Sequence, residues 1–277
     1  MVGVIAVAIV VGALGVGLWL PAHRSKRRLA EITARLRTTT ASKTFDPAMV
    51  ADLPEPARRY MLHAIRPGAP LARFVELRGT ARMKPAPDKA FFDLAWDEVL
   101  TPGVGMVWNA KTTKALPLTI NDFYLSDAAA VRVALFGLIP VVNETSPDVV
   151  RSTKGRVAGE VVWCPSALLD RPDVRWEAVG EDRFRIRQSI DGEEVAAELI
   201  IDAEGRVKEI RMERFGDVGK DGVGLYPYGF AVEEERTFGD FTIVSKVKGG
   251  WWFGSERFVP EEAATFVITD AVFDGRR

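Results

Sequence analysis

The stretch from Val174 to Arg214 constrains the fold most. Val174–Val179 and Phe184–Ile190 flank a Gly180-Glu181-Asp182 turn. Asp191-Gly192 precedes Glu194–Ile201, and Ala203-Glu204-Gly205 precedes Val207–Arg214. Asp-Gly between two alternating runs is a strong hairpin signal, because the favoured two-residue turn needs positive φ at both central positions. The segment predicts an antiparallel meander, with Arg175, Arg183, Arg185 and Arg187 paired across strands to Glu177, Glu194 and Glu198 on the solvent face.

Strand texture also precedes and follows the meander. Phe74–Met83, Phe91–Val99, Val104–Lys111, Leu118–Leu125 and Val131–Leu135 come first. Tyr228–Thr237 and a long last hairpin, Thr242–Trp252 with Arg257–Ala271, come after it. Many short strands with regular turns predict a sheet that curls. Between the two runs lies a helical insert. Phe136–Val142 is continuously apolar. Ser146-Pro147-Asp148 then has an N-cap serine, a first-position proline and an acid in the first turn. Val149, Val150, Thr153, Val157 and Val161 form the buried stripe, and Pro165 ends the helix. The expected fold class is mainly β (α+β): a curved antiparallel half-barrel of about eleven strands with a mid-chain helical insert, occupying residues 46–277.

The first 45 residues read differently. Val2–Leu20 is uncharged and long enough, at roughly 1.5 Å per helical residue, to match a bilayer core of about 30 Å. Trp19 sits at its end, and Arg24, Lys26, Arg27 and Arg28 follow Pro21. The expectation is a transmembrane anchor over residues 1–20, with a cleaved signal peptide as the competing reading, and a juxtamembrane helix and linker over 21–45. A second basic helix with Leu29, Ile32 and Leu36 on one face would either lie on headgroups or act as a solvated linker. The predicted location is the cell membrane, single-pass, with the remainder cytoplasmic by the positive-inside rule. A further helix begins at Leu53-Pro54-Glu55-Pro56 and carries His63, read as a cap histidine rather than a base.

Chemistry is hard to find in these residues. No nucleotide-binding glycine loop, nucleophile elbow or His-Glu-x-x-His motif occurs. One cysteine and two histidines leave little for a metal site. A formal net charge of −1 gives nucleic acid no electrostatic foothold. No cofactor is expected, and the partners expected are the membrane and an apolar ligand such as a lipid. The aromatic residues are the remaining feature. Trp96, Trp108, Phe136, Trp163, Trp176, Tyr228 and Trp251 would line a cavity inside the curled sheet, with Asn143, Arg151 and Glu160 as polar groups at its mouth. Of the adjacent Trp251 and Trp252, one must face outward. Glu233 and Glu235 share a strand face in a regular strand and would be solvated.

The segments Phe136–Asn143, Ser146–Ser152 and Gly159–Leu169 resemble a family of uncharacterised bacterial proteins. So do Val174-Arg175-Trp176, Asp202–Arg206, Glu235–Gly239, Gly250–Gly254 and Leu53–Tyr60. The resemblance covers about residues 50–270. A more distant similarity is to the LolA/LolB lipoprotein carriers, whose half-barrel is capped by inserted helices. That likeness implies a cavity for acyl chains and an extracytoplasmic location. The function expected is non-catalytic binding of an apolar ligand, lipid or acyl chain, at the membrane. Two alternatives remain open: a carboxylate hydrolase, requiring at least two inward carboxylates within about 10 Å, and a structural or interaction module with a filled core.

Overall fold

The computed structural model describes residues 21–37, 43–84, 89–114 and 116–275. Its body is one antiparallel sheet of thirteen strands. Six precede the insert: β1 (Val75–Met83), β2 (Phe92–Thr101), β3 (Gly105–Thr112), β4 (Leu118–Leu125), β5 (Ala128–Leu135) and β6 (Ile139–Glu144). Seven follow it: β7 (Arg175–Gly180), β8 (Arg183–Ile190), β9 (Glu193–Ile201), β10 (Val207–Asp217), β11 (Val223–Phe238), β12 (Phe241–Trp251) and β13 (Ala264–Phe273). Their order is β6-β5-β4-β3-β2-β1-β13-β12-β11-β10-β9-β8-β7. Each half is a meander of sequential hairpins. The last strand, β13, joins the halves by pairing with both β1 and β12.

The helices are α1 (residues 21–36), α2 (Glu55–Ala64) and α3 (Pro147–Gly159), and α3 continues as a 3₁₀ turn, Glu160–Trp163. Ser146 caps α3 by accepting a hydrogen bond from the Val149 N–H, as the sequence predicts. Residues of β4 and β10 line one cavity although seven strand steps separate them in the sheet. At roughly 4.8 Å per step a flat sheet would hold them about 34 Å apart, so the sheet is strongly curled. The helix α3 lies in the concavity and touches β3, β4 and β5 on one limb and β8, β9 and β10 on the other.

A polar clamp ties α3 to both limbs. The Lys154 ammonium donates to Asp127 Oδ1 at 2.6 Å and to the Asp191 carbonyl at 3.0 Å. Asp127 lies in the β4–β5 turn and Asp191 in the β8–β9 turn, and the Tyr124 hydroxyl also donates to the Asp191 carboxylate. Both turns have two successive residues at positive φ: Ser126 (50°) and Asp127 (59°), then Asp191 (44°) and Gly192 (81°). That is the geometry the right-handed strand twist favours in a two-residue hairpin.

The expected count of about eleven strands falls short by two, and β6 is the strand the pattern hides. Phe136 and Gly137, both at positive φ, turn the chain back on β5. The apolar run after them is therefore an edge strand, with Phe136 and Val141 exposed. Pro140 suits an edge, where no ladder donor is needed on the outer side. The glycine-rich stretch Asp217–Gly224 is the end of β10, a 3₁₀ turn and the start of β11.

The N-terminal expectation needs correction. The span predicted at residues 1–20 lies outside the described residues. Among the described residues no helix is long and apolar enough to cross a membrane, so the single-pass localisation, and the sidedness drawn from it, is not supported. The apolar stripe of α1 faces neither headgroups nor water. Leu29, Ile32 and Leu36 are buried on the convex face of the sheet against Phe74, Val99, Val107, Phe123, Leu125 and Ala130. Thr101 Oγ1 donates to the Leu36 carbonyl at 2.9 Å and fixes the end of the helix.

Candidate functional site

Alternation along the strands decides which side chains enter the concavity. On β2 the inward set is Leu94, Trp96, Glu98 and Leu100; on β3 it is Met106, Trp108 and Ala110; on β4 it is Ile120, Asp122 and Tyr124. Glu98, Trp108 and Asp122 are direct partners across successive ladders, so they form one row. From the other limb come Ile210, Met212 and Arg214 on β10 and Tyr228 and Phe230 on β11. The insert contributes Arg156, Glu160, Val162 and Trp163, and Met83, Val247 and Phe266 close the middle. These residues line a cavity of about 210 Å³ that is partly open to solvent. With a water occupying roughly 30 Å³ of liquid volume, that is about seven waters' worth of space.

One end of the cavity is charged. Arg156 on α3 donates through Nε to Glu160 Oε1 at 2.6 Å and through Nη1 to Asp122 Oδ2 at 3.0 Å, and Nη2 reaches Glu98 Oε1 at 3.5 Å. The guanidinium also lies 5.1 Å from the centre of the Trp108 ring. Arg214 sits nearby, with its guanidinium 4.6 Å from the Tyr228 ring centre and 5.4 Å from that of Trp251. Glu98 is only 1% exposed. Burial and the neighbouring Glu160 carboxylate raise its pKa well above the ordinary range, against the opposing pull of Arg156. Burial also raises Asp122, opposed by Arg156 and Arg214. Burial works against the Arg156 charge, but Glu160, Glu98 and Asp122 together outweigh it and hold the guanidinium charged.

The cluster is incompletely satisfied. Glu98 Oε2, Asp122 Oδ1, Glu160 Oε2, Arg214 Nε, Trp96 Nε1 and Trp163 Nε1 are buried and have no hydrogen-bond partner. All six belong to residues lining this cavity. Buried polar atoms are rarely left so, and here they concentrate around one cavity. Among the described residues no group of three or more His, Cys, Asp or Glu side chains is placed to hold a metal ion. Cys164 is fully buried, and burial pushes its thiol pKa up, away from any nucleophilic role.

Of the aromatic candidates, Trp96, Trp108, Trp163 and Tyr228 line the cavity. Trp251 stands behind it, its ring 4.9 Å from that of Tyr228 and laid over Gly216. Trp252 takes the outward position beside Tyr226 and Arg257. Trp176 belongs to the far limb, where it packs on Phe184. Phe136 is 64% exposed at the tip of the β5–β6 hairpin. Of the polar candidates only Glu160 lines the cavity. Asn143 accepts from Arg132 on the edge of the sheet, and Arg151 pairs with Glu193 at the surface. Bulges separate Glu233 from Glu235. Glu233 pairs with Lys246, whereas Glu235 binds His63 at 2.8 Å and accepts from the Val207 N–H, tying α2 to the sheet.

Glu98, Asp122, Arg156 and Arg214 were not singled out in the sequence. The signal for two of them is present there. Glu98 falls in register with Leu94, Trp96 and Leu100, and Asp122 with Ile120 and Tyr124, so each is an acid on an otherwise apolar face. Arg156 and Glu160 are four residues apart, at ion-pair spacing on one helix face.

The model of a family of unknown function, DUF6544, matches residues 43–260. That match bears out the resemblance to an uncharacterised family. No curated protein matches the chain. Among solved structures the chain is similar to a LolA superfamily protein of Nitrosomonas europaea, at 13% identity and a TM-score of 0.40, covering 79% of this chain and 91% of that one. It is similar to a Vibrio parahaemolyticus domain described as outer membrane lipoprotein-sorting, at 9% identity and 0.39, covering 82% and 91%. It is also similar to a DUF1329 family protein of Desulfovibrio piger, at 9% identity and 0.34, covering 83% and 94%.

Proposed function

We propose, for a chain that belongs to the DUF6544 family of unknown function, that it binds a small amphipathic ligand without chemically changing it. The observation that carries this reading is the cavity itself: about 210 Å³, walled by tryptophan, tyrosine, phenylalanine and methionine, with unpartnered polar atoms grouped at one end. A fully packed core leaves few voids larger than a water. The size of the cavity limits what enters. Binding pockets for drug-sized molecules run from about 300 Å³ upward, so this one suits a single short chain or one ring. Native mass spectrometry of the full chain, purified without detergent and incubated with 1-hexanol, tests the reading. A one-to-one adduct that disappears in Val247→Phe is expected. The absence of any adduct on wild-type protein would contradict it.

A carboxylate hydrolase is the second reading, supported by Glu98 and Glu160 lying on the same guanidinium with one proton favoured between them. Against it, Arg156 engages every acid of the cluster, which suits holding charge better than moving protons. Turnover of a chromogenic hexanoate ester, lost in Glu160→Gln, would favour the hydrolase.

A further inference from the structure

The charged end of the cavity restricts the ligand further. This step rests on the binding function proposed above. The groups facing it are Glu98 from β2, Asp122 from β4, Glu160 from the turn after α3, Arg156 from α3, Arg214 from β10 and the Tyr228 phenol from β11. With every acid ionised, three negative charges meet two positive ones. A net charge enclosed by aromatic walls is costly unless something neutralises it. With every acid ionised, three carboxylate oxygens, one on each acid, lack a donor. Glu98, which owns one of them, is almost wholly enclosed.

We propose that the cavity takes a monocationic amphiphile: a short apolar body against the aromatic walls and one protonated amine held among Glu98, Glu160 and Asp122. An ammonium brings one positive charge and three N–H donors, which match the one excess negative charge and the three orphaned acceptors. A hydroxyl brings one donor and no charge. A carboxylate adds a fourth negative charge to the site. The Trp108 ring at this end, which already faces the Arg156 guanidinium at 5.1 Å, favours a cation over a neutral head group. Without ligand, the proton that burial and Glu160 favour on Glu98 takes the place of the amine. Binding then expels that proton to solvent, and the charge of the site is the same before and after.

Isothermal titration calorimetry of the full chain at neutral pH, with hexylammonium chloride, 1-hexanol and sodium hexanoate as probes, tests this. Hexylammonium is expected to bind about tenfold or more tighter than hexanol, the scale of one charge-assisted contact, and hexanoate more weakly than either. The hexylammonium heat should change with the ionisation enthalpy of the buffer, reporting proton release. Glu98→Gln should lose the preference for hexylammonium over hexanol. Hexanol binding as tightly as hexylammonium to wild-type protein would overturn the head-group assignment and leave the cavity's binding function standing. Failure of all three probes would overturn both. If Glu98→Gln does not fold, the ranking of the three probes on wild-type protein decides alone.

Discussion

Glu98 concentrates the physical tension in this molecule. An acid on β2 follows Trp96 by two residues and precedes Leu100 by two, and is thereby forced into an apolar cavity. In the unfolded chain it titrates near 4.5, whereas in the fold burial and Glu160 keep its proton on to higher pH. Between those two values the folded state binds more protons than the unfolded state. Its contribution is fully present below the unfolded value and is lost as pH rises toward the folded one. In Glu98→Gln the side chain cannot ionise, and its amide donates toward Glu160 as the protonated acid would. As pH rises above the ordinary carboxylate value, the urea midpoint of this variant should fall less than that of wild type. Parallel pH curves would contradict a buried, proton-holding Glu98. The residue was legible as an inward acid from its alternation, but its importance was not, because Arg156 meets it only through the packing of a helix distant in the chain.

The elements divide into those announced by local chemistry and those set by packing. The meander and the capped insert were readable from turn residues and from Ser146, since hairpins and caps are local. The strand β6 was not, because its turn uses Phe136, a residue that rarely takes positive φ. The bulges that separate Glu233 from Glu235 were equally hidden, since alternation is the assumption a bulge breaks. The insert was recognised as a helix, but its role as a clamp depends on Lys154 reaching two hairpin tips from opposite limbs. Lys154→Ala removes both contacts and leaves the Asp191 carbonyl without its donor. It should cost about 1–3 kcal/mol in chemical denaturation. A change within about 0.5 kcal/mol, the size of an ordinary surface substitution, would show that the limbs are held by the apolar packing of α3 alone.

At the scale of the whole molecule, the first limb of the sheet is covered on both faces. The sequence carried this information in Val99-Leu100, Met106-Val107-Trp108 and Phe123-Tyr124-Leu125, where adjacent apolar residues mean that inward and outward positions are both buried. What covers the outer face is α1, whose basic composition suggested a membrane surface instead. Leu36 is 1% exposed beneath that helix, so Leu36→Ala should destabilise the protein by about 2–5 kcal/mol, as core truncations do. A solvated linker would tolerate the change. Covering the convex face leaves the concave side as the place where ligand chemistry collects, and there the curl brings the acids of β2 and β4 to the arginine of β10. Three tryptophans, Trp96, Trp108 and Trp163, line that cavity and make it observable. Titrating the full chain with 6-bromo-1-hexanol, whose bromine quenches indole fluorescence on contact, therefore measures occupancy of the cavity directly. Saturable quenching that weakens in Trp163→Phe and vanishes in Val247→Phe is the result predicted. Linear, non-saturating quenching that is equal in all three proteins would mean that the cavity takes no ligand.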